Sequence, residues 1–276
     1  MSATARIDAG SSRVVFNDPR PDPRYPSGRE IPLWLYKPER HGPDDRIVVV
    51  MHGMSRNADA YRDAWAEPAE RHNLMVVAPE FSNAAYPETY DYNYGNMVTP
   101  EGVLLDRKQW LFPLVEQIFA FVRDRSGSRR ETFGLYGHSA GGQLVHRLVT
   151  FAWTPAIERA ITANAGSYTM PDFAVSYPFG LKGTHFAGAD LPVLLSRPLT
   201  VLLGEQDCDP THHNLPRQPE AMAQGPHRFA RGQAYFAAGR AAAGAGAFNW
   251  RIDTVPGVAH SNPGMAAKAA AILAGG

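Results

Sequence analysis

The sequence predicts an α/β fold in which a mostly parallel central sheet is flanked by helices. Three observations carry that reading. Short apolar runs alternate with helical patterns along the chain, as βα units require. The run Ile47-Val48-Val49-Val50-Met51 is continuous and largely β-branched, as a strand covered on both faces must be. Trp110, Leu114, Ile118 and Val122 recur every fourth residue, which is the spacing of one helix face.

Taken in order, residues 13–17 and 31–37 read as an opening pair of strands joined by a turn rich in Pro, Asp and Gly. Residues 47–51 follow as the central strand. After a loop at 52–56, Asn57 is placed to cap a helix bearing Tyr61 and Trp65 on one face. Residues 74–78 form the next strand, and the four-residue spacing predicts a helix over 106–125. Further strands are expected at 132–136, 160–164, 199–203 and 250–254. Helices are expected over 142–149 and 232–243 and from Met265 onward. Residues 81–102, with Tyr86, Tyr90, Tyr92 and Tyr94, and residues 167–197, rich in Pro, Gly and aromatics, break the rhythm. Long loops in a compact domain are often functional, and these would open at the carboxyl ends of the strands. They are expected to be loop insertions that form the walls or partial lid of a cleft, with Tyr168, Trp153 and Phe173 as wall residues.

The 276 residues suit one domain spanning 1–276, and 44% hydrophobic content is enough to bury a sizeable core. Lys plus Arg equal Asp plus Glu, at 27 each, so no net field recruits nucleic acid or an anionic membrane. The partner expected is instead a small-molecule or oligomeric substrate. One cysteine, Cys208, excludes an intrachain disulfide. The stretch Met1–Asp8 lacks the apolar core of a signal peptide, and no run reaches about 18 apolar residues. The expectation is a soluble intracellular protein, or a chain numbered after a removed leader.

The chemistry is concentrated in Gly137-His138-Ser139-Ala140-Gly141. A β-prone segment precedes it and a helical one follows, so the serine sits on a sharp strand-to-helix turn with small neighbours. That is the nucleophile-elbow pattern of α/β-hydrolases in its required context. A serine hydroxyl is a poor nucleophile near neutral pH and needs a base within hydrogen-bond reach, held in turn by an anion. In this fold the chain order is serine, acid, histidine. Val201-Leu202-Leu203-Gly204-Glu205-Gln206-Asp207 is a strand followed by an acidic turn, and a small-residue loop after residues 250–254 ends in His260. Asp207 stands in a G-x-x-D placement. Asp209, held extended before Pro210, is the competing acid. Glu205 reads as structural.

An oxyanion hole requires two backbone N–H groups aimed at the developing charge. Ala140, directly after the serine, supplies one. His52-Gly53-Met54-Ser55 follows the strongest strand, so Met54 supplies the other, with Ser55 as the alternative. His138 and His146 read as packing groups, and His212-His213 as loop residues without a recognisable metal-ligand set. With no G-x-G-x-x-G or Walker loop, no nucleotide cofactor is implied.

His52-Gly53, Gly137-His138-Ser139-Ala140-Gly141-Gly142, Gly204-Glu205-Gln206-Asp207 and His260 resemble the α/β-hydrolase superfamily across nearly the whole chain. Within it, Ala163-Asn164-Ala165-Gly166-Ser167-Tyr168 and the Gly-Gly ending of the elbow resemble the poly(3-hydroxybutyrate) depolymerase-like esterases of the LpqC type. The resemblance implies Ser139, Asp207 and His260 as a triad cleaving carboxylic esters, with no metal or organic cofactor. The secreted depolymerases usually carry a leader, disulfides or an attached substrate-binding domain, none of which this chain shows. A peptidase or amidase on the same fold, and a catalytically silent binding module, are the alternatives.

Overall fold

Alternating side chains on the central strands serve two different cores, and that division organises the molecule. In the computed structural model, which describes residues 6–22 and 24–275, β1 (Gly10–Asp18) pairs antiparallel with β2 (Arg29–Lys37), Gly10 opposite Lys37 and Asp18 opposite Arg29. β2 pairs antiparallel with β4 (Met75–Pro79). β3 (Ile47–Met51), β5 (Phe133–His138), β6 (Ile157–Ala163), β7 (Leu199–Gly204) and β8 (Arg251–Val255) join β4 in parallel. The resulting eight-stranded sheet has the order β1-β2-β4-β3-β5-β6-β7-β8. Residues 1–5, part of the stretch read for a leader, lie outside the described residues.

Because successive strand residues face opposite sides, Val48 and Val50 pack on one face and Ile47, Val49 and Met51 on the other. The first face is covered by α1 (Ala58–His72) through Tyr61, Trp65 and Ala69, and by α7 (Asn262–Ala274) through Met265, Ala269 and Leu273. The second is covered by α2 (Phe112–Ser126), α3 (Ala140–Phe151) and α6 (Arg228–Ala243), through Leu114, Ile118, Leu144, Leu148 and Tyr235 among others. All five residues of β3 are fully buried, as its composition requires. Among the described residues no helix is long and apolar enough to cross a membrane.

Several expectations are corrected in detail. The helix expected from residue 106 begins at Phe112. Asp106 instead caps a separate 3₁₀ turn, Arg107–Gln109, by accepting from the Lys108 N–H. Pro113 explains the break, since it lacks an N–H and fits only the first turn of a helix. Asn57 stands at the cap position of α1, but its side chain makes no capping hydrogen bond. Two short helices, α4 (Leu191–Ser196) and α5 (Pro219–Ala223), fall where none was expected.

Candidate active site

The carboxyl ends of β3, β5, β7 and β8 meet at one edge of the sheet, and the residues singled out in the sequence converge there. Ser139 follows β5 and precedes α3 with φ 58° and ψ −114°. A positive φ on a residue with a side chain is strained and persists only where its surroundings fix it. Here the Ser139 N–H donates to the Ala163 carbonyl at 2.9 Å. Its neighbours leave no room: a Cβ on Gly137 would lie 2.2 Å from the Gly141 carbonyl oxygen, and one on Gly141 would lie 2.2 Å from that of Met51.

His260 lies on the loop between β8 and α7. Its Nδ1 is 2.7 Å from Asp207 Oδ2, and its Nε2 is 3.0 Å from Ser139 Oγ. The carboxylate accepts from Nδ1–H, which leaves the Nε2 lone pair facing the serine hydroxyl. The acid and histidine loops are also fastened to each other through the backbone. Glu205 N–H donates to the Val255 carbonyl at 3.2 Å and Gln206 N–H to the Val258 carbonyl at 2.8 Å. Asn164 clamps the neighbouring strand end, its Oδ1 accepting from the Gly204 N–H at 2.8 Å. Asp209 points elsewhere, accepting from the Thr211 N–H and hydroxyl, so Asp207 is the carboxylate beside His260. Glu205 accepts from the Thr254 hydroxyl at 2.8 Å, a tie between β7 and β8.

The turn after β3 is closed by Arg56 N–H donating to the Gly53 carbonyl at 3.2 Å. Between those residues Met54 and Ser55 face the cavity above Ser139, and the N–H of each is without an acceptor among the described residues. The backbone therefore keeps both Met54 and Ser55 available beside Ala140.

Comparison with solved structures decides the family. The chain is 41% identical to poly(aspartic acid) hydrolase-1 from Sphingomonas sp. KT-1, covering 97% of this chain and 99% of that one, with a TM-score of 0.90. It is 37% identical to LpqC, a poly(3-hydroxybutyrate) depolymerase from Bordetella parapertussis, covering 96% and 89%, with a TM-score of 0.87. The chain belongs to the α/β-hydrolase superfamily, in its LpqC-type, poly(3-hydroxybutyrate) depolymerase-like group. An S-formylglutathione hydrolase from Agrobacterium tumefaciens, 13% identical with a TM-score of 0.57 over 98% of this chain and 96% of that one, shares the fold. No family model matches the chain, and no curated protein does.

The cavity of this LpqC-type chain measures about 410 Å³, and its walls include Met54, Tyr61, His212, His213 and Pro263. The expected wall residues are elsewhere, which is a correction. Tyr168 is fully buried, stacked on Tyr235 with ring centroids 4.5 Å apart and clamped through its backbone by Gln224 at 2.9 and 2.8 Å. Trp153 lines a separate hollow of about 250 Å³. Phe173 lines a larger apolar hollow of about 880 Å³ between residues 170–179 and helices α5 and α6. Neither 81–102 nor 167–197 contributes a residue to the wall above Ser139. Tyrosines of 81–102 turn inward instead: Tyr86 donates to Asp18 Oδ2 at 2.9 Å, and Tyr92 to the His52 carbonyl at 2.8 Å.

His138 was expected to pack, and it does so against His260, with ring centroids 4.7 Å apart. Burial, then the neighbouring His260 and Arg228, hold its pKa well below the ordinary histidine value, so it stays neutral. Arg228 is a residue that sequence reasoning missed. Only 1% exposed, its Nη1 lies 3.6 Å from Asp207 Oδ1, the oxygen His260 does not use. A basic residue opening a helix reads as solvated, and nothing local to it signals a buried carboxylate. Cys208 is exposed and outside the cavity lining. Among the described residues no group of three or more His, Cys, Asp or Glu side chains is arranged to hold a metal ion.

Proposed function

We propose that the chain is a serine hydrolase cleaving carboxylic esters through an acyl-enzyme, with hydroxyalkanoate esters as the substrate class. The observation that carries this reading is the single imidazole of His260 spanning Ser139 Oγ at 3.0 Å and Asp207 Oδ2 at 2.7 Å. His260 accepts the Ser139 proton as Oγ attacks the carbonyl carbon, and Asp207 holds the imidazolium that forms. The tetrahedral oxyanion is received by the N–H groups of Ala140 and Met54. As the intermediate collapses, His260 gives the proton to the leaving alcohol, and a water that it then deprotonates releases the acid.

An uncharged ester is favoured because the cavity wall above Ser139 carries no carboxylate and no Lys or Arg among the described residues. A second reading, amide hydrolysis, is favoured by the relative named as a poly(aspartic acid) hydrolase. A polyanion, however, would meet histidines and neither Lys nor Arg as basic groups on this wall, among the described residues.

The test is Ser139→Ala assayed on p-nitrophenyl butyrate. Turnover is expected to fall by about four orders of magnitude or more, with the fold retained. Undiminished turnover overturns the reading. A fluorophosphonate probe should label the native chain and not the variant; no labelling would mean a silent cleft. Esters of graded acyl length, run beside a poly(3-hydroxybutyrate) film and poly(aspartate), separate the two substrate classes.

A further inference from the structure

A second histidine stands against the site without belonging to the triad. The His212 ring meets the His260 ring edge-on, with centroids 5.1 Å apart, and lines the cavity above Ser139. Two donors converge on its Nδ1: the Asn214 N–H at 3.2 Å and Arg228 Nη2 at 3.3 Å. A guanidinium has no acceptor to offer and keeps its protons, so Nδ1 must present a lone pair. The neutral ring therefore carries its proton on Nε2. The two contacts at Nδ1 are the ring's hydrogen bonds among the described residues, which leaves Nε2–H without a partner there, on a ring that lines the cavity. Burial and the charge of Arg228 lower the pKa of His212, which keeps the ring neutral. His213 stacks on it at 4.6 Å and helps fix its plane.

We propose that His212 is a specificity residue whose Nε2–H hydrogen-bonds a carbonyl in the leaving-group half of the substrate, and that Arg228 is the positioning residue that fixes its tautomer. This rests on the ester-hydrolase reading above. His260 hands its proton to the leaving oxygen, so the substrate atoms nearest its ring belong to the alcohol half, and His212 abuts that ring. Within the hydroxyalkanoate class, an alcohol half that carries a carbonyl is an esterified hydroxy acid, as in the next repeat of an oligoester. The dual position of Arg228, 3.6 Å from Asp207 Oδ1 and 3.3 Å from His212 Nδ1, couples the donor to the triad acid.

Two uncharged esters with the same acyl half separate the possibilities: the methyl ester of the linear 3-hydroxybutyrate dimer, followed at its inner ester bond, and ethyl 3-hydroxybutyrate, which lacks a leaving-group carbonyl. His212→Phe keeps a ring without the donor and should lower kcat/KM on the dimer about ten-fold, the worth of one hydrogen bond, chiefly through KM. The ethyl ester should change less than about two-fold, and His212→Gln, which keeps an N–H donor, should retain most activity on the dimer. Equal losses on both esters, no loss on the dimer, or a native enzyme that cleaves the ethyl ester but not the dimer overturns the proposal. Nitrogen-15 NMR of histidine-labelled protein, with the His212 signal assigned from the variant, should show the proton on Nε2. It should move toward a tautomer mixture in Arg228→Met. A proton on Nδ1 in the native chain also overturns it. Fluorophosphonate labelling of Ser139 and turnover of the ethyl ester persist if only the role of His212 is wrong, and both vanish if the hydrolase reading itself fails.

Discussion

Lowering the pH from 7.5 to 5 is expected to remove about 6 kcal/mol of folding stability, through three histidines sealed in the fold as neutral rings. His52 donates from Nδ1 to the Gly53 carbonyl at 2.9 Å and accepts the Phe81 N–H at Nε2 at 3.0 Å. His146 likewise pairs Nδ1 with the Gly142 carbonyl at 3.0 Å and accepts the Thr169 N–H at 2.9 Å. His138 sits between Tyr61 and Asn164. One donor and one acceptor per ring suit only the neutral form, and burial dominates the downward pKa shift of all three, to about 3 for His52. A folded pKa below the unfolded value of about 6.5 means the stability is complete above that pH and is lost as the pH falls below it. A ring still neutral in the fold at pH 5 costs about 2 kcal/mol there relative to neutral pH. His41 and His212, also shifted down chiefly by burial, act in the same direction. Since whole domains hold only about 5–15 kcal/mol, a loss of this size is a large share of the fold's stability. Urea titrations followed by far-ultraviolet circular dichroism at pH 7.5, 6.5, 5.5 and 5.0 measure this directly. His146→Gln should lower stability at every pH but reduce the slope by about one third. A stability flat down to pH 5, or a slope unchanged in that variant, would refute the reasoning.

Other perturbations test individual contacts. Asp207→Asn should cut kcat by about 10⁴, as loss of the correct imidazole tautomer does elsewhere, while Asp209→Asn leaves esterase turnover intact; steady-state assays on p-nitrophenyl butyrate compare the two. Gly141→Ala forces a methyl to 2.2 Å from the Met51 carbonyl oxygen, so it should yield little folded protein, and a variant with native melting temperature would contradict the packing. Tyr168→Phe should leave kcat and KM for short esters within about two-fold, because the side chain is fully buried outside the cavity wall.

Much of the site is local and therefore readable. A strand, a tight turn with small residues and a helix are neighbours in sequence, so 132–149 could be read almost as it stands. β3 is delimited residue for residue because a continuous apolar run bounded by Arg46 and His52 marks both of its ends. What escaped is long-range. The tyrosines of 81–102 carry no period, so nothing in the sequence told that Tyr86 would seek Asp18, 68 residues away. Buried arginines were equally invisible. Arg147 is fully buried with no carboxylate partner among the described residues. It is held instead by the Asn93, Gln143 and Pro178 carbonyls at 3.0–3.2 Å and the Thr169 hydroxyl at 3.1 Å. Carbonyl acceptors are offered by any backbone, so no residue type announces them. Arg147 thereby anchors both irregular stretches to α3. That explains why they serve as scaffold where cleft walls were expected, and why residues 212–214 and 260–263 shape the opening.

Ser139 and His260, the proposed nucleophile and its proposed base, are rooted in parts of the sheet with very different security. β5, which leads into Ser139, is flanked by β3 and β6 and wholly buried, whereas β8, which leads to His260, is an edge strand and partly open to solvent. Margins fray before centres. Gentle warming should therefore detach the proton acceptor while the attacking alcohol stays anchored, so that catalytic power vanishes at temperatures where global spectroscopic signals still report an intact molecule.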